Sequence, residues 1–107
     1  MKIRAALLSL FISSSALSGE LVRGATIEEV ANTASNLKVF YIKVKGGNGP
    51  CANRSIIFPA SQAPSPEAYE RAFSIALAAA ASGKKIRAHN YIDDDCHGAG
   101  FIGMFSE

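Results

Sequence analysis

Ser65-Pro-Glu-Ala-Tyr69-Glu-Arg-Ala-Phe73-Ser-Ile-Ala-Leu77-Ala-Ala-Ala-Ala-Ser82-Gly83-Lys-Lys-Ile-Arg87-Ala-His89-Asn-Tyr91-Ile92 is the stretch on which the fold turns. It opens as helices open: Ser65 as N-cap, Pro66 at the first helical position, Glu67 in the first turn near the positive end of the dipole. It closes at Gly83, a C′ glycine. The spacing therefore predicts a helix over 66–82. Tyr69, Phe73, Leu77 and Ala80 recur at intervals of four and three on one face, so Phe73 and Leu77 are expected as core anchors. Ile75 and the alanines Ala68, Ala72, Ala76 and Ala79 widen the apolar arc. Small residues there would let another element or a second subunit approach closely; the competing explanation is that alanine is simply the best helix former. Beyond Gly83 the period changes from 3.6 to 2. Over Lys85 to Ile92, Ile86, Ala88, Asn90 and Ile92 fall on one side, as in a strand.

Working upstream, Leu37-Lys-Val-Phe-Tyr-Ile-Lys-Val-Lys45 alternates most clearly, with Phe40, Ile42 and Val44 on one side and Val39, Tyr41 and Lys43 on the other. Gly46-Gly-Asn-Gly-Pro50 is a turn delivering Cys51, and Ser55-Ile-Ile-Phe58 reads as a short strand stopped by Pro59. The glycines lack the Lys-Ser/Thr pair and following helix of a phosphate-binding loop. Thr26-Ile-Glu-Glu29 can be read two ways. As a capping box it starts a helix, which the local pattern slightly favours. As a strand, Ala25 to Ala31 would end in the polar turn 32–36 and pair with the segment that follows. Downstream, Asp93 to Gly98 is a loop and Ala99 to Phe105 a last strand.

The first 18 residues read as a secretory signal. Met1-Lys-Ile-Arg4 is a basic lead, Ala5 to Leu17 an apolar run, and Ala16-Leu17-Ser18 has small residues where a signal peptidase reads them. The run of about 13 residues is too short for a membrane anchor, which needs roughly 20. Cleavage is expected after Ser18 or Gly19, leaving a single domain over 19–107 that is secreted or periplasmic. The whole chain of 107 residues has 11 Lys+Arg against 9 Asp+Glu. Lys2 and Arg4 leave with the signal, so the mature chain is formally neutral, and strong attraction to nucleic acid or an anionic membrane is not expected. A core of this size is marginal unaided. Cys51 and Cys96, an even pair in an exported chain, are expected to form a disulfide; two buried free thiols are the alternative.

Little points to catalysis. Asp93-Asp-Asp-Cys-His97 concentrates potential ligands, yet three successive aspartates cannot all face one ion, and with Cys96 oxidised only His89 and His97 remain as soft ligands. The expectation is a solvated acidic turn, with no metal and no cofactor. Ser55 and Ser61 lack a nucleophile-elbow context, so a non-enzymatic protein is expected. Tyr41 and Tyr91, alternating with Lys43 and His89, could pack on the apolar face of a sugar; otherwise both are half-buried sheet residues with wetted hydroxyls.

The order of elements in a small exported β chain resembles the OB-fold, a five-stranded barrel. Tyr69 to Arg87 is similar to the helix-to-strand unit of AB5 toxin B subunits of the subtilase-cytotoxin and typhoid-toxin kind. The turn Gly46-Gly47-Asn48-Gly49-Pro50-Cys51, with Asn90-Tyr91 before Cys96, also resembles a group of small uncharacterised secreted proteins of Gram-negative bacteria. The resemblance implies a mainly β, OB-like five-stranded barrel with a late helix, and makes Thr26–Ala31 a strand. It also implies a homo-pentamer with helices lining its pore, and a glycan-binding surface. A sugar-holding tyrosine of the toxin subunits falls on Asn90 or Tyr91, but the serine of their first strand has no counterpart near Gly24–Thr26. The disulfide joins different parts of the fold from theirs, and no A-subunit partner is implied. The expected function is an exported binding module for a glycan or a protein partner; the alternative is a periplasmic structural or inhibitor-like protein without a sugar site.

Overall fold

The computed structural model describes residues 19–32 and 38–106; the expected signal over 1–18 lies outside them. The described chain is mainly β. Five antiparallel strands, β1 (Glu20–Asn32), β2 (Val39–Lys45), β3 (Ser55–Pro59), β4 (Lys85–His89) and β5 (Phe101–Phe105), form one sheet in the order β3-β2-β1-β4-β5. A single α-helix, α1 (Pro66–Ser82), stands between β3 and β4, over the residues its cap signals predict. Ser65 Oγ accepts from Ala68 N–H at 3.1 Å, and Gly83, left-handed at φ 72°, donates its N–H to Ala79 O at 2.9 Å.

β1 organises the rest. Its second half pairs with β2, from Thr26 opposite Lys45 to Asn32 opposite Phe40. Its first half pairs with β4, from Glu20 opposite His89 to Ala25 opposite Ile86. Thr26–Ala31 is therefore strand, and the capping-box pattern is overridden: a 13-residue segment that finds partners on both sides gains more than a short isolated helix could. Register shifts between Glu20 and Val22, Arg23 and Ala25, and Ile27 and Glu29 bend the strand, as bulges do, so that it serves both halves of the sheet.

The sheet curls but does not close. β3 and β5 are not neighbours in it. The segment leading into β5 covers the outer edge of β3 instead: Ile57 N–H donates to Cys96 O at 2.8 Å, and Ala99 N–H donates to Ile57 O at 3.0 Å. The fold is thus barrel-like with one seam sealed by a loop. Cys51 and Cys96, both buried, are joined as a disulfide beside that seam, with Cα atoms 5.8 Å apart.

The glycine-rich turn runs against the first half of β1. Arg23 and Asn48 exchange both backbone hydrogen bonds, at 2.9 and 3.0 Å, and Cys51 N–H donates to Leu21 O at 2.9 Å. These N–H groups are spent on the sheet and form no anion cradle. The turn approaches so closely that a Cβ at Gly49, where φ is +125°, would run into the Leu21 carbonyl. Gly49→Ala should destabilise the protein by about 1–3 kcal/mol; a melting temperature equal to wild type would contradict this close approach.

The core gathers Phe40, Ile42 and Val44 from β2, Ile56 and Phe58 from β3, Ile86 and Ala88 from β4, Ile102 from β5 and Leu21, Val22 and Ala25 from β1. Helix α1 packs across β1 and β5. Its buried residues are Ala76 and Ala79. Phe73 is half-buried, with its ring edge-on to Phe40 at 5.0 Å. Tyr69 lies beside the same ring, and its hydroxyl donates to Phe58 O at 3.0 Å. Burial pushes the Tyr69 phenol above its ordinary pKa, while the Phe40 backbone works the other way.

One expectation about this helix is corrected. Leu77 is not a core anchor but 47% exposed. The element that approaches the alanines is the chain's own sheet: Ala79 is fully buried and Ala72 is partly buried against the core. Small residues here let the helix sit close on its own sheet, which turns the bulkier Leu77 outward.

Candidate functional site

β4 places Ile86 and Ala88 in the core, so Lys85, Arg87 and His89 face outward by strand alternation. The same holds on β5, where Ile102 is buried and Phe101, Gly103 and Phe105 face out. Antiparallel register sets His89 opposite Phe101 and Arg87 opposite Gly103. The missing side chain at Gly103 matters. A Cβ there would stand 3.3 Å from Phe101 Cζ, so the Phe101 ring lies over the glycine. The Arg87 guanidinium carbon is 5.3 Å from the centre of that ring, a cation–π distance.

The ring cluster continues past the end of β4. The His89 ring stands perpendicular to Phe101 at 5.8 Å. Tyr91 stacks on His89, also at 5.8 Å with planes 27° apart, and meets Phe101 edge-on at 6.5 Å. Tyr91 is nevertheless 72% exposed. A hollow of about 120 Å³ beside it is lined by Gly19, His89, Asn90, Tyr91, Ile92 and Asp93. His89 Nδ1 is buried and has no hydrogen-bond partner. Chemically the surface offers three adjoining rings, one of them an imidazole, and one cation, which suits a flat, partly apolar ligand carrying hydroxyl groups.

Asn90 holds this surface in place. It is 2% exposed. Its Nδ2 donates to Asp93 Oδ1 at 2.7 Å and to Asp95 O at 3.0 Å, while its Oδ1 accepts from the N–H groups of Ile92 and Asp93 at 2.9 and 3.2 Å. Every polar atom of the side chain is thus used within the turn, so Asn90 positions Tyr91 and has nothing left to offer a ligand. The strand ends at His89, which leaves Ile92, expected on the buried side, 74% exposed. Asn90→Ala should cost about 1–3 kcal/mol by removing the four hydrogen bonds that hold the turn, and should also loosen Tyr91; unchanged thermal stability would contradict this.

The three aspartates are occupied as well. Asp93 Oδ1 also accepts from Asp95 N–H at 2.9 Å, Asp95 Oδ1 accepts from His97 N–H at 2.9 Å, and Asp94 Oδ1 accepts from Gly19 N–H at 3.3 Å. Among the described residues, no group of three or more His, Cys, Asp or Glu is placed to hold a metal ion. No helix among them is long and apolar enough to cross a membrane.

Of the three residues proposed from sequence to hold a sugar, the structure brings Tyr91 and Asn90 to one place and leaves Tyr41 apart. Tyr41 is half-buried on the outer side of β2, between Ala31 and Ile57 in register, and is not among the rings of the cluster. Arg87, His89 and Phe101 were missed as members of the surface. The signal for the first two was the outward alternation of Arg87, His89 and Tyr91. Phe101 announces itself only through pairing with a distant strand. A larger cleft of about 790 Å³ lies elsewhere, between the start of α1 and the start of β2, with Val39, Phe40, Pro64, Tyr69 and Phe73 in its walls. The ring cluster is the better candidate despite its smaller hollow, because aromatic and charged groups converge there.

No curated protein and no solved structure matches the chain. A family model, the family of unknown function DUF5992, matches residues 1–106, and the chain belongs to that family.

Proposed function

We propose that the protein is an exported, non-enzymatic binding module that takes a glycan on the face formed by Arg87, His89, Tyr91 and Phe101. The carrying observation is Tyr91: a tyrosine 72% exposed and yet held in a stack against His89, beside a second ring. Exposed rings fixed by their neighbours bind at little entropic cost, since few rotamers remain to be frozen. The apolar face of a pyranose would pack on such a ring, with the Tyr91 hydroxyl and the Arg87 guanidinium as hydrogen-bonding groups for its hydroxyls. The disulfide agrees with a periplasmic or extracellular setting.

Tyr91→Ala separates this reading from a structural role. Tyr91 is too exposed to support the core, so its melting temperature should stay within about 2 °C of wild type. Binding to any glycan the wild type retains should fall at least about tenfold, a loss of roughly 1.4 kcal/mol. A variant that binds every such glycan as wild type does would remove the ring face from consideration.

A further inference from the structure

Gly19 occupies the first paired position ahead of β1. Its carbonyl accepts from Asn90 N–H at 2.9 Å, and its nitrogen lies 3.3 Å from Asp94 Oδ1. A Cβ at Gly19 would stand 3.1 Å from Asn90 O, so glycine suits the position. The carboxylate comes from the turn that Asn90 organises, 75 residues further along the chain. While Ser18 is attached, Gly19 offers that carboxylate one amide N–H.

We infer that Gly19 is the first residue of the exported protein and that its α-ammonium is held by Asp94. The step is hydrolysis of the Ser18–Gly19 peptide bond by a signal peptidase: water supplies the oxygen, Ser18 leaves as a carboxylate, and the Gly19 nitrogen becomes an ammonium. That nitrogen then presents a positive charge to Asp94 in place of a single neutral donor, and charge-assisted hydrogen bonds are the stronger kind. Of the two bonds that the sequence offers for cleavage, the one after Gly19 would discard the carbonyl that Asn90 N–H uses. Cleavage after Ser18 discards none of these contacts. The ammonium fastens the start of β1 to the turn that carries Tyr91, so maturation and the ordering of that turn are linked.

Expression of the full chain with its own leader in a Gram-negative host, followed by N-terminal sequencing of the exported protein, reads the first half of the inference. Gly19 as first residue is expected; a first residue at Glu20 or beyond, or an uncut chain, would overturn it. The second half is read by a cycle on the exported protein. Asp94→Asn keeps an oxygen acceptor but removes the charge. It should lower the melting temperature by about 1–5 °C when the Gly19 amine is free. It should change little once that amine is selectively acetylated near neutral pH. Equal losses with free and acetylated amine, or no loss in either, would overturn the ion pair.

Discussion

Removing the Cys51–Cys96 bridge is expected to unfold the domain at 37 °C. The bridge spans 45 residues, and loop-closure entropy of that length corresponds to about 4 kcal/mol. A small domain has a total stability near the low end of about 5–15 kcal/mol. The site of the bridge adds to the effect. Cys96 supplies the carbonyl that Ile57 uses at the outer edge of β3, so releasing it opens the seam that strand pairing leaves unsealed. The double variant Cys51→Ala/Cys96→Ala, followed by circular dichroism against temperature, should lose its transition by 37 °C or show it lowered by more than about 15 °C. An unchanged transition would mean that the strands hold the seam without the bridge.

The second large effect is expected at Phe58. Its ring is 1% exposed and stacks on Phe40 with centroids 4.7 Å apart and planes 3° from parallel. Phe40 in turn meets Phe73 and Tyr69 of the helix. Phe58→Ala therefore empties the place where β2, β3 and α1 meet, at a cost of about 3–5 kcal/mol. Leu77→Ala, by contrast, should change stability by no more than about 0.5 kcal/mol, because Leu77 faces water. Urea denaturation of both variants checks the contrast. Equal losses would mean that the helix packs with the phase its large side chains suggest.

That contrast marks what was legible in the sequence. The helix limits were, because Ser65, Pro66 and Gly83 act through bonds to their own neighbours. The rotation of the helix was not. Tyr69, Phe73 and Leu77 form a regular stripe, but how close a helix sits is governed by the smallest residues at the contact, and Ala76 and Ala79 allow the nearest approach. The strand at Thr26–Ala31 was hidden for a related reason: a capping box is local, whereas pairing with β2 and β4 is not. On the candidate site, Tyr91 was readable from alternation with a polar neighbour, His89. Asn90 was singled out only because the toxin resemblance sets a sugar-holding tyrosine at Asn90 or Tyr91; the positions of Asp93 and Asp95 show that its bonds are all taken. The pairing that brings Phe101 to His89, and the vacancy at Gly103 that gives the ring its bed, depend on the register between two strands separated by a loop.

The binding reading stands or falls most directly on a glycan array probed with the exported, disulfide-intact wild-type protein beside Tyr91→Ala. The wild type is expected to bind at least one class of glycan and the variant to lose it while staying folded. No glycan retained by the wild type would contradict the reading and leave a periplasmic structural or inhibitor-like role as the account to pursue.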